Sequence, residues 1–131
     1  MPPYLLDGKE ARGEDYLAAI DSVAAAPTHD PAWVCVRVAG VGTLVVSTGL
    51  GGLSIDDERS DGSTWTKYEL TKQEAKALVA TFLDGSTNWR SETGWELTKL
   101  ATKQAIRRML WIVLSGIVLG GIVWLLLYLL H

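Results

Sequence analysis

The side chains of this 131-residue chain that could carry out chemistry are few and scattered: one cysteine, a histidine beside an aspartate, an acidic run and a group of glycines. Cys35 alternates with Trp33 and Arg37 in a valine-rich run and lacks the surroundings of a catalytic thiol, so a small packed side chain is expected. As the lone cysteine it excludes an intrachain disulfide and a disulfide-stapled extracellular scaffold, which favours a reducing compartment. His29 and Asp30 are a general base and an orienting carboxylate on paper. Adjacent residues in an extended segment point opposite ways, however, and no nucleophile matches them, so His29 reads as an exposed loop residue. Asp56, Asp57, Glu58 and Asp61 carry the oxygen ligands a calcium loop needs, but counted from Asp57 the third position is Arg59 and the twelfth is Tyr68, where a bidentate glutamate belongs. A solvated hairpin loop is expected there. Gly49, Gly51 and Gly52 have no lysine or serine in phosphate-loop spacing. The reading is of a chain with no catalytic, cofactor or metal residue and no enzyme activity, since an enzyme needs converging ionisable groups.

Trp33, Trp65, Trp89 and Trp95 are many tryptophans for so small a domain. Trp89, in the polar context STNWRSE, has two readings. Exposed beside Arg90, it has the composition of a protein-binding hot spot; folded back over a sheet edge, it is core. Trp89 and Arg90 are the protein-binding candidates.

The elements that must position these groups read as α+β: a small antiparallel sheet with one or two packed helices, followed by a single C-terminal transmembrane helix. Glu14 to Ala26 has helical apolar spacing and is closed by Pro27. AWVCVRVAG and VGTLVVSTG are β-branched runs around a Gly40-Val41-Gly42 turn, and short strands are expected over Gly52–Ile55 and Trp65–Leu70, flanking a polar loop with an Asp61-Gly62 turn pair. Thr71 and Glu74 form a capping box before Ala75, Leu78, Val79 and Phe82 at helical spacing, and Gly85 ends that helix. Residues 86–94 read as loop. The next segment is either a last strand over Trp95–Leu97 or, as Lys99, Lys103 and Arg107 four apart favour, a helix from about Leu97 into the membrane. A β-meander, a capped helix ending in FLDG and a tryptophan-containing segment together resemble small bacterial immunity proteins, with no motif that carries individual residues across.

From Met109 to Leu130 the chain has 22 residues without a charge, about 33 Å of helix at roughly 1.5 Å per residue, enough for a bilayer core. The expected division is a soluble acidic domain over 1–95, a basic juxtamembrane helix or linker over 96–108, and the span over 109–130. Lys99, Lys103, Arg107 and Arg108 precede the span and His131 alone follows it, so the domain is expected in the cytoplasm, with the C-terminus outside, at the cell inner membrane. No signal peptide is read at the N-terminus, where Asp7, Lys9, Glu10 and Arg12 follow Met1–Leu6, so the arrangement reads as tail-anchored. The basic collar faces anionic headgroups, at about 1 kcal/mol per charge. Ser115, Gly116, Gly120 and Gly121 make a small-residue helix face suited to another helix.

Residues 1–95 carry eight Lys or Arg against fourteen Asp or Glu. An acidic body is repelled by nucleic acid and by anionic lipid, so it is expected to stand away from the membrane surface and to favour a basic protein partner, or one that is itself a membrane protein. The leading expectation is a non-catalytic interaction module: an accessory subunit of a membrane complex or a membrane-tethered immunity protein. Its rivals are a membrane-disrupting effector that forms a homo-oligomer through the helix and, last, a membrane-anchored enzyme.

Overall fold

Valine alternating with polar residues favours a strand with one buried face, and the chain builds one continuous sheet on that pattern. The computed structural model describes residues 2–131. In chain order the elements are β1 (Tyr4–Leu6), β2 (Lys9–Ala11), α1 (Asp15–Ala25), β3 (Trp33–Val38), β4 (Gly42–Gly49), β5 (Gly52–Glu58), β6 (Thr64–Leu70), α2 (Lys72–Leu83), a 3-10 turn (Asn88–Ser91), β7 (Trp95–Lys99) and α3 (Thr102–Leu129). The strands form a seven-stranded sheet in the order β2-β1-β3-β4-β5-β6-β7, antiparallel at every pairing. The α+β class with a long apolar C-terminal helix is what the apolar patterning dictates.

One sheet face is covered. Val34, Val36 and Val38 of β3, Leu44 and Val46 of β4, and Leu53 and Ile55 of β5 point inward and are buried. Against them lie Tyr16, Ile20 and Val23 of α1 and Ala75, Leu78, Val79, Phe82 and Leu83 of α2. Each large side chain so buried contributes about 1.5–3 kcal/mol, which holds both helices to the same side. Asp21 of α1 accepts from Lys76 of α2 at 2.7 Å and from Lys72 at 3.4 Å, stitching the helices across their solvent edge.

The α2 cap forms with one change. Thr71 Oγ1 accepts from the Glu74 amide at 3.1 Å, and the hydroxyl also donates to the Glu74 carboxylate at 3.0 Å, so the carboxylate meets the side chain of the cap and not its backbone N–H. Gly85 follows at φ +82°, the left-handed residue that ends the helix.

Other elements differ from the pattern-based expectation. The β1–β2 hairpin was not legible by alternation, since each strand has three residues; its Asp7-Gly8 turn, with φ +49° and +82°, is nonetheless the turn pair that joins strands most tightly. The hairpin is pinned by Tyr4, whose hydroxyl accepts from the Tyr16 amide at 3.0 Å and donates to the Gly13 carbonyl at 3.1 Å. β5 continues to Glu58, so Asp56 and Asp57 stand in a strand and not in a solvated loop. β7 reaches Lys99, so residues 96–99 belong to the sheet and the soluble unit does not stop at 95. Trp95, half-buried, decides this: its indole donates to the Trp89 carbonyl at 3.0 Å, and Lys67 of β6 pairs opposite it. Lys99 therefore ends a strand and does not share a helical face with Lys103 and Arg107.

Gly52 sits at a crowded crossing of the sheet. A Cβ there would lie 2.8 Å from the Leu70 carbonyl oxygen, at the register shift between β5 and β6 where Glu69 takes φ +58°.

Candidate functional site

Arg90 and Trp89 are placed by the 3-10 turn, and the placement corrects the reading of Trp89 as an exposed hot spot: its side chain is only 3 % exposed. It meets Phe82 edge-on at 6.3 Å and the tilted ring of Trp95 at 5.3 Å, and its indole donates to the Ser86 carbonyl at 2.7 Å. The polar neighbours in STNWRSE turn outward around a buried ring, a geometry that local composition cannot reveal.

Arg90 turns inward as well. Its Nε and Nη2 donate to the two oxygens of Asp57 at 2.9 and 3.0 Å, a bidentate pair. Arg59 Nε donates to Asp57 at 2.9 Å, and Asp57 is fully buried. Each guanidinium covers a tryptophan, Arg59 over Trp65 at 4.8 Å and Arg90 over Trp89 at 5.1 Å. Both arginines stay protonated and converge on the one carboxylate, so the cluster clamps the 3-10 turn to β5. Among the described residues no side-chain nitrogen or oxygen is buried without a partner.

The remaining chemical candidates stay apart. His29 is exposed in the α1–β3 loop. Cys35 is half-buried, and burial, aided by Glu58 and Asp7, pushes its thiol above the usual range, which suppresses the thiolate. Among the described residues no three His, Cys, Asp or Glu side chains gather as metal ligands.

The structure leaves two surfaces uncovered. The first is the outer sheet face, opposite the helices. The inward turn of Val34 and Val36 puts Trp33, Cys35 and Arg37 outward, in register with Ser47, Val45 and Thr43 of β4. Its centre is a hydroxyl array, with Ser47 and Ser54 at 2.8 Å, Thr66 donating to Asp56 at 2.6 Å, and Thr66 and Thr98 at 3.0 Å. Trp33 (67 % exposed) and Tyr68 (50 %) stand clear of it. A cleft of about 560 Å³ lined by Pro3, Tyr4, Leu5, Glu10, Arg37 and Ala39 shares Leu5 and Arg37 with this face. Trp33 is the exposed aromatic that the sequence reading did not single out, although the alternation in WVCVRV already aimed it away from the core.

The second surface is α3. It has 28 residues; within Lys103–Leu129 its most apolar 18-residue window has a mean hydropathy of 2.5 and none of that window is buried, so it is long and apolar enough to cross a membrane. Lys103, Arg107 and Arg108 are exposed in its first turns, and with Lys99 none of them has a carboxylate within salt-bridge distance among the described residues. Ser115, Gly116, Gly120 and Gly121 lie on α3 with open space around the glycines. Trp124 and Tyr128 stack at 5.7 Å near its far end. Comparison with protein-family models, curated proteins and solved structures finds no match to the chain.

Proposed function

We propose that this chain is a single-pass membrane protein whose small domain is a non-catalytic protein-interaction module, docking by its outer sheet face on another protein of the same membrane. One observation carries the reading: a seven-stranded sheet has helices on one side alone, and its other side presents Trp33 and Tyr68 around a hydroxyl-rich centre. Tryptophan and tyrosine supply most of the affinity where proteins meet, because they bury large area at small entropic cost. An accessory subunit of a membrane complex or a membrane-tethered immunity protein has this form. The Lys and Arg cluster immediately before the span favours a cytoplasmic domain at the inner membrane.

The test is to purify the full chain in mild detergent and identify what comes with it in stoichiometric amount. Trp33→Ala should remove the partner while the domain stays folded, and Gly116→Leu should remove it only if the helix contributes. A partner retained by Trp33→Ala would remove the sheet face from the reading. A homogeneous oligomer without a partner, lost in Gly116→Leu alone, would favour the membrane-disrupting effector.

A further inference from the structure

The way β7 joins α3 fixes where the domain can stand. Lys99 is paired with Thr64 in the sheet, Ala101 is buried, and α3 begins at Thr102, so only Leu100 and Ala101 connect a strand to a rigid helix. From Thr102 to Arg108, before the charge-free stretch, the helix rises about 10 Å. A headgroup layer is itself roughly 5–7 Å thick, the difference between a whole bilayer and its hydrocarbon core divided over two leaflets. The remaining gap is within a Debye length of about 8 Å. A domain on so short a strut stays within reach of the surface although its body is acidic, and local charge then decides how closely it sits.

The sheet end nearest the strut is defined by the register. β7 ends and β6 begins there, and the β5–β6 turn carrying Arg59, Ser60 and Asp61 lies beside them. Lys99, Lys103, Arg107 and Arg108 bring four cations without salt-bridge partners among the described residues to this end, against Asp56 and Glu58 at the end of β5 and Asp61 on the turn. The β4–β5 turn at Leu50, which is 88 % exposed, lies at the far end of β5, about 24 Å away along seven residues of strand.

We infer that this base of the domain, formed by the β5–β6 turn and the end of β7, is a contact surface for the anionic phospholipid headgroups of the leaflet that α3 enters, with Lys99 and Lys103 on their phosphates. The inference rests on α3 spanning the membrane. It replaces the picture of an acidic body repelled from the surface: the strut sets the height, the cations secure the seat, and the outer sheet face is presented edge-on just above the lipid.

The experiment uses the full chain in vesicles of phosphatidylcholine mixed equally with phosphatidylglycerol. In a Cys35→Ser background, a fluorophore is placed on Ser60→Cys or on Leu50→Cys, and a lipid with a quencher on its headgroup is added. Quenching should be several-fold stronger at position 60 than at 50, and Lys99→Gln with Lys103→Gln should weaken it at 60, since each cation near the surface favours the seat about fivefold. Equal quenching at both positions, in protein that resists an alkaline wash, would overturn the seat while leaving the span intact. Protein removed by that wash would overturn the spanning reading and the seat with it. Strong quenching at 60 that ignores both lysine substitutions, or that free inorganic phosphate abolishes, would overturn the assignment of Lys99 and Lys103 to lipid.

Discussion

Asp57→Asn separates a structural clamp from a decorative ion pair. The substitution keeps the shape of a fully buried side chain but removes the charge that Arg59 and Arg90 share, and it turns a donor toward their N–H groups. Three charge-assisted hydrogen bonds are affected, two from Arg90 and one from Arg59. The side chains of Arg59 and Arg90 keep about a quarter of their surface, 24 % and 23 %, so part of the penalty for two unpaired cations is relieved by water. Removing one member of a buried pair costs about 3–5 kcal/mol, and the low end applies here for that reason. Arg90→Met should cost less, because Asp57 keeps Arg59, and Arg59→Met least, since one hydrogen bond is lost instead of two. With a urea slope of about 2 kcal/mol per molar, the Asp57→Asn midpoint should fall by about 1.5–2 M. The assay is urea unfolding of the full chain in detergent, followed by near-ultraviolet circular dichroism of the domain tryptophans. Added salt should hardly change the deficit, because a buried pair is weakly screened. An Asp57→Asn midpoint within 0.5 M of the parent, a shift of about 1 kcal/mol at the same slope, would refute the clamp. An order with Arg59→Met costliest would refute the bidentate geometry.

Three further outcomes follow from the same packing. Trp89→Ala should destabilise the domain by about 3–5 kcal/mol in the same unfolding assay, as large aromatic truncations in a core do, whereas Trp33→Ala should change stability by less than about 0.5 kcal/mol. Thr71→Ala removes the acceptor for the Glu74 amide and should cost about 1 kcal/mol, read from the urea midpoint. The Lys76 hydrogen bond, reinforced by Lys72, holds the Asp21 carboxyl below its ordinary range; a depressed carboxyl contributes stability above its unfolded pKa of about 3.9 and loses it as pH falls through the lower folded value. Asp21→Asn should therefore flatten the acid limb of a stability–pH curve below about pH 4, and an unchanged limb would show that Asp21 contributes nothing to it.

Much of this protein follows from its order of residues alone. Every valine of WVCVRV and the Thr71–Phe82 run has one solution, because period-two alternation suits only a half-buried strand and a capping box before helical spacing suits only a helix start. The apolar run after Arg108 is equally local, since its length and lack of charge suit a membrane span whatever the rest of the chain does. Tertiary structure decided the rest, wherever a residue's neighbours are distant in sequence. Trp89 looks exposed among polar neighbours until Phe82 and Trp95 close on it; Asp57 looks solvated until Arg59 and, 33 positions away, Arg90 reach it. WELTK satisfies a helical spacing of lysines until β6 offers it a ladder. In each case the sequence holds both options at similar local cost, and a long-range partner supplies the few kcal/mol that choose between them.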